Sequence, residues 1–275
     1  MTATATTPAT HPPTLRVRPS HTAQTWAMSK RAIVALARQP ALVVPSLIFP
    51  LFFAALGTSS FSRAVDLPGF PDVDSFLDFA LAGAIVQGVL FGSTVSATAL
   101  ATDIESGFFD RLLAAPATRS GIILGRLAGG MTYGAIQTAF FIVALLPFGL
   151  SIKGGVPSVV ALMIAGTVIA LAVGALMSSM AIATGSSEAV QGAFPLLFIA
   201  LFFSSAFFPR DTMSGAYAVL ADLNPVSYLV EGMRDLAIDG FTAWAVARAI
   251  LIPAVLSIAA MALALATLRR RIRSS

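Results

Sequence analysis

Apolar runs of about twenty residues or more recur along this chain and limit its fold more than any other feature. They fall at about 39–60, 79–101, 121–150, 158–184, 189–208 and 243–268, separated by short segments that hold most of the charge. A helix needs about 20 apolar residues to cross the ~30 Å hydrocarbon layer of a bilayer. Inside that layer only helices and closed barrels satisfy their own backbone hydrogen bonds. With 57% hydrophobic and 11% charged residues and a mean hydropathy of +0.86, the chain carries more apolar surface than a soluble domain of its length can hide. The expected fold is all-α and membrane-integral, with six transmembrane helices in one domain over 39–275.

The segments between the runs set the orientation. Residues 1–20 are rich in Thr, Ala and Pro, lack an apolar core, and read as a disordered tail and not a cleaved signal peptide. Residues 21–38 read as an interfacial helix, with Trp26, Ile33 and Ala37 in line and Arg31 and Arg38 opposite; a plain extension of the first span is the other reading. Pro40 suits the opening turn of span one, and Pro45 and Pro50 bend the rest of that span. Asp66, Asp72, Asp74 and Asp78 mark 61–78 as a polar loop outside the membrane. Between the fifth and sixth runs, Asn224-Pro225 divides a more polar stretch into two short helices over 216–223 and 226–238, neither long enough to span. Of the 17 Lys and Arg, 12 lie in the first 38 residues, in 111–126 and after Leu268. The positive-inside rule makes those segments, and both termini, cytoplasmic. The net charge of +4 therefore reports topology and not a nucleic-acid surface.

One cytoplasmic segment stands out. Thr102 to Ser120 contains Asp103, Glu105, Asp110, Arg111 and Arg119, and unpaired charges of that number cannot lie in hydrocarbon. At helical spacing Ile104, Phe108, Leu112 and Leu113 share one side, Glu105, Asp110 and Arg111 point elsewhere, and Pro116 closes the segment. A short helix with one apolar face and a charged rim fits two roles: lying under the headgroups, or docking into a soluble partner and passing force to the flanking spans.

The chain holds no assembled catalytic chemistry. His11 and His21 lie in the tail and its junction, no cysteine is present, no GxSxG occurs, and no Asp sits well inside a span. Lys30 and Lys153 follow Ser29 and Ile152, so there is no Gly-Lys-Ser/Thr to cradle phosphate. Acidic residues at membrane depth, which ion-coupled carriers use, are also missing: Glu188 is near a span end, and Gln87, Gln137 and Gln191 do not titrate. A transporter with neither engine needs an external motor, which favours docking over passive burial. An ATPase-independent channel or carrier, and a membrane scaffold that moves nothing, are the alternatives.

These features resemble the ABC-2 type permeases, the membrane subunits of ABC exporters of the daunorubicin/doxorubicin resistance type. The resemblance covers roughly Trp26 to Arg270. It rests on Arg38-Gln39-Pro40 with Pro50, on ESGFFDRLLAAPATRSGIILGRLAGG at Glu105 to Gly130, on FFP at Phe207 to Pro209, and on NPVSYLVEGMRDL at Asn224 to Leu236. It implies a half-transporter in a bacterial plasma membrane that dimerises, as a homodimer or with a sister permease, over two cytosolic ABC ATPase subunits. Those subunits would hold ATP and Mg2+, with no cofactor or metal in this chain. Glu105 to Pro116 would be the coupling helix, with Glu105, Phe108, Asp110, Arg111, Leu112 and Pro116 as its contacts. The aromatic pair Phe108-Phe109 departs from the more polar residues common there.

Tyr217 to Ile238 would be paired short helices re-entering the outer leaflet before span six. At Glu231, Arg234 and Asp235, spacings of three and four allow a local ion pair or, with Asn224 and Pro225, an outer gate. Phe194, Phe198 and Phe202 on span five line a path for flat apolar cargo or face lipid or a second chain. The GxxxG pairs Gly88/Gly92, Gly125/Gly129 and Gly130/Gly134 favour close helix packing, within one chain before any dimer contact.

Overall fold

The computed structural model describes residues 21–66, 68–114 and 119–274. The expected tail over 1–20 and Pro116 lie outside them. The helices in order are α1 (His21–Ala37), α2 (Pro40–Ser60), α3 (Phe76–Glu105), α4 (Phe108–Ala114), α5 (Arg119–Leu145), α6 (Gly155–Thr184), α7 (Ser187–Gly192), α8 (Phe194–Phe202), α9 (Gly215–Leu223), α10 (Pro225–Ile238) and α11 (Ala243–Ser274). Among the described residues, five helices are long and apolar enough to cross a membrane: α2, α3, α5, α6 and α11. This is a multi-pass membrane protein.

Local chemistry explains most helix ends. Pro40 occupies the first turn of α2, where its missing N–H removes nothing. Ser75 caps α3 by accepting from Asp78 N at 3.4 Å. Gly185, at φ 63, closes α6. Asp78 was expected in the outer loop, but it lies buried in the first turn of α3 and accepts from Ser151 N at 2.7 Å. That bond fastens α3 to the loop before α6.

α3 is the axis of the bundle. Leu81, Ile85 and Val86 are fully buried, and α2, α5, α6 and α10 pack around them. α6 and α11 run side by side, and Ser257 Oγ on α11 donates to Val168 O at 3.0 Å. Outward faces stay apolar: Ile48 and Phe52 on α2, Ile136 and Val143 on α5, and Val255 and Ile258 on α11 are exposed. Apolar side chains on that periphery are stable only against lipid or another apolar surface. The glycine pairs serve packing inside the chain. A Cβ on Gly129 would come 2.5 Å from Ala32 Cβ of α1, and one on Gly92 would come 2.5 Å from Gln137 Oε1 of α5.

The bundle has two distinct ends. One gathers α1, the C-terminus of α3, α4, the start of α5, the end of α6, the start of α7 and the arginine-rich end of α11, where Arg271 Nη1 donates to Ile182 O at 3.2 Å. We call it the basic end. The far end holds the starts of α3, α6 and α11 together with α9 and α10.

The expected span over 189–208 does not form as one helix. α7 and α8 together cover Ser187–Phe202, roughly 24 Å at 1.5 Å per residue, which is short of the ~30 Å hydrocarbon layer. The helix is interrupted at Ala193, two residues before Pro195, and the chain turns after Phe202. Proline removes a helical donor and crowds the preceding turn. The apolar pattern continues through 203–208 without a helix beneath it, and hydropathy alone cannot register that. The two short helices on either side of Asn224-Pro225 do form, as α9 and α10.

Candidate functional site

At the basic end, α3 does not continue into α4. Gly107 takes φ 68, a left-handed conformation that favours glycine, and α4 restarts at Phe108. The turn resets the register. Phe109, and not Phe108, becomes the fully buried anchor, while Ile104 stays buried on α3 and Leu112 and Leu113 pack partly buried against the core. Phe108 is half-buried, with the Arg31 guanidinium of α1 4.0 Å from its ring centroid and that of Arg111 at 5.8 Å. Asp110 and Arg111 are exposed.

The acidic residues around the turn tie the end together. Asp103 accepts from Arg126 of α5 at 2.5 Å and from Arg31 at 3.2 Å. Glu105 accepts from Ser187 N at 2.6 Å and from Ser187 Oγ at 3.1 Å, so its carboxylate fastens the start of α7 to the end of α3. Of the residues expected to contact a partner, Glu105 is exposed but already engaged by Ser187, Phe108 is half-buried, and Asp110 and Arg111 are exposed with no such bond among the described residues. α4 thus touches α1 through the Arg31–Phe108 contact and joins α3 through the Gly107 turn.

At the far end the expected gate residues converge. Asn224 Oδ1 accepts from Val226 N at 3.0 Å, while Nδ2 donates to Ala200 O at 2.5 Å and Phe203 O at 3.0 Å. With Pro225 opening α10, this pins the α9–α10 corner to the broken end of α8. Arg234 is 5% exposed; its Nη2 donates to Ser205 O at 2.7 Å, and the guanidinium lies 3.6 Å from the Phe79 ring centroid. Buried non-helical backbone needs partners for its polar groups, and Arg234 supplies one for the turn after α8.

Arg234 is therefore not the local ion-pair partner that the spacing allows. Glu231 pairs with Arg210 and, at 3.0 Å, with Arg248, and Asp235 pairs with Arg248 at 2.6 Å. Asp222 meets Arg210 at 3.2 Å. Two arginines, Arg210 and Arg248, thus pair with three acids, Asp222, Glu231 and Asp235. Burial is the largest single influence on Arg210 and works against its charge, but hydrogen bonding and charge interactions with Glu231 and Tyr228 together outweigh it and hold the guanidinium above its ordinary pKa.

Between α2, α3 and the segment 202–208 lies an apolar cavity of about 220 Å³. Phe53, Phe76, Phe202, Phe207 and Tyr217 contribute to its walls. Phe202 alone of the three expected path residues lines it. Phe194 packs on Phe91 with ring centroids 4.3 Å apart and Phe198 edge-on against Phe202 at 4.9 Å, forming an aromatic cluster next to the wall. Gln87 also lines the cavity; it is 2% exposed and its Nε2 has no hydrogen-bond partner among the described residues. An amide inside an otherwise apolar run was the available signal for this position.

The ABC-2 type transporter family matches residues 23–238, from α1 through α10. The chain belongs to that family. It is 28% identical over 208 residues, 75% of this chain and 72% of the relative, to the daunorubicin resistance ABC transporter permease protein DrrB1 of Streptomyces coeruleorubidus. It is 32% identical over 217 residues to the putative transport permease ycf38 of Porphyra purpurea, covering 76% and 72%. The probable doxorubicin resistance ABC transporter permease protein DrrC of Mycobacterium tuberculosis is 25% identical over 224 residues, covering 79% and 78%. As an ABC-2 family member, this chain is a membrane permease subunit, and membership implies an ABC ATPase partner in general. The family match takes in the α4 turn, the aromatic cavity and the α9–α10 corner.

Proposed function

We propose that this ABC-2 permease is the membrane-spanning subunit of an ABC exporter that moves an amphipathic, drug-like or lipid-like substrate outward. ATP, with Mg2+, is hydrolysed by two copies of a separate cytosolic ATPase. The basic end is cytoplasmic in the plasma membrane, in line with the positive-inside rule. Six crossings then bring both termini to that side, with α7, α8 and the following turn serving together as the fifth and with α9 and α10 re-entering the outer leaflet. A second copy of the chain completes the transporter, and the exposed apolar faces of α2 and α8 suit such an interface.

The observation that carries the reading is the build of α4. A buried Phe109 anchors it, and Phe108, Asp110 and Arg111 face out with apolar and charged groups side by side, as docking into a partner's groove requires. Its link to Arg31 supplies a route from that groove to the membrane helices. The aromatic cavity with its single amide donor suits flat amphipathic cargo, and two relatives are named for resistance to daunorubicin and doxorubicin. The test is Phe108→Ala with Arg111→Ala in the permease–ATPase complex reconstituted in vesicles. Substrate-stimulated ATP turnover and export are both lost; if both persist at wild-type rates, α4 is not the coupling element.

A further inference from the structure

A second cavity, of about 340 Å³, opens at the basic end among α1, α2, α3 and α5. Its lining mixes apolar, uncharged polar (Gln39, Ser96, Thr98, Thr102) and charged side chains. Met28, Ala35 and Leu42 supply an apolar side, and Arg31, Asp103 and Arg126 supply a charged one. Two guanidinium groups share a single carboxylate there, which leaves a net positive charge.

The arginines are under-used. A guanidinium carries five N–H donors. Arg126, whose side chain is 15% exposed, spends Nη1 on Asp103 at 2.5 Å, and Arg31 spends Nη2 on the same carboxylate while stacking on Phe108. The other donors of both side chains have no protein partner among the described residues. The spare nitrogens of Arg126 are not among the buried unpartnered atoms and the Arg31 side chain is 43% exposed, so the spare donors face accessible space. A partly buried cation with open donors is stabilised by an anion that accepts from both forks, and phosphate has the matching geometry.

The rest of the lining decides where that anion comes from. A free phosphate would leave Met28, Ala35 and Leu42 wet. A phospholipid places its phosphate on the arginines and its glycerol and first methylenes on the apolar side, at the level where α2 enters the bundle. Basic pockets between membrane helices recognise anionic headgroups in this way. We propose that this cavity binds the headgroup of an anionic phospholipid from the adjacent leaflet, held by Arg31 and Arg126. The inference stands apart from the coupling role of α4, although Arg31 touches both the cavity and Phe108.

The test uses the full chain in detergent, with lipid retention read by native mass spectrometry against phosphatidylglycerol and phosphatidylcholine of matched chains. One phosphatidylglycerol is retained in preference to phosphatidylcholine. Arg31→Gln and Arg126→Gln each lower its retention about fivefold, in line with the free energy per basic residue at an anionic surface, while Arg269→Gln on the exposed end of α11 leaves it unchanged. Arg126→Lys, which keeps the charge with fewer donors, falls between. Melting temperatures without added lipid verify folding; should Arg126→Gln not fold, Arg31→Gln at the more exposed position decides. Equal retention of both lipids, or loss equal in Arg269→Gln, overturns the proposal. Displacement of the lipid by millimolar inorganic phosphate also overturns it, in favour of a free-anion site.

Discussion

Replacing Arg234 with Met tests whether a buried side chain holds open the break after α8. The substitution removes the donor to Ser205 O at 2.7 Å and the contact 3.6 Å from the Phe79 ring centroid. The charge-assisted bond contributes about 1.5–3 kcal/mol, and a desolvated cation–π contact about 2 kcal/mol. The contacts to Phe79 O at 3.4 Å and Ala206 O at 3.5 Å add little at that length. Against this, Met no longer requires a guanidinium to be stripped of water, which offsets part of the loss. Glu231 and Asp235 keep Arg210 and Arg248, so no acid is orphaned. The expected destabilisation is about 3 kcal/mol, with Ser205 O left unpartnered in the interior. Thermal unfolding in detergent, with protease access at 203–206 as a local readout, measures it. Arg234→Lys, which keeps the charge and can still donate to Ser205 O, loses about half as much. If Arg234→Met melts within about 1 kcal/mol of wild type and the turn stays protected, the carbonyls are satisfied some other way and the reasoning fails.

Two other outcomes rest on burial and hydrogen bonding. Phe109→Ala, at a site with 0% exposure, lowers stability by about 3–5 kcal/mol, whereas half-buried Phe108→Ala costs less than half as much; equal melting shifts contradict the register set by Gly107. Gln87→Leu removes a buried donor that has no partner and raises stability by about 1–3 kcal/mol, while weakening retention of an aromatic ligand that carries an acceptor oxygen. An unchanged melting temperature together with unchanged ligand retention, read by fluorescence titration, contradicts both halves of that expectation.

The gate residues show how far local reading reaches. Asn224-Pro225 marks a turn by its own chemistry, since Asn caps and Pro starts a helix, and the chain turns there. Glu231, Arg234 and Asp235 lie on one helix at ion-pair spacing, yet the acids take Arg210 and Arg248 while Arg234 serves a broken helix 29 residues away in sequence. Spacing along a helix ranks partners on that helix only. Likewise, Ile104 and Phe108 read as one apolar face until the Gly107 turn rotates the second helix relative to the first. The cavity at Gln87 was not legible in the sequence, where that residue read only as a non-titrating amide, because the rings around it come from distant parts of the chain.

Sequence alone determined the all-helical membrane architecture, the positions of the five long helices, the division at Asn224-Pro225 and the clustering of charge at one end. Those features depend on hydrophobic length and on capping and turn chemistry, which act over a few residues. Tertiary structure decided that 187–208 is two short helices and a turn, that Phe109 is the anchor, and that Arg234 caps freed carbonyls. Each is settled by whether a backbone or side-chain group finds a partner across the bundle, and packing alone supplies that partner.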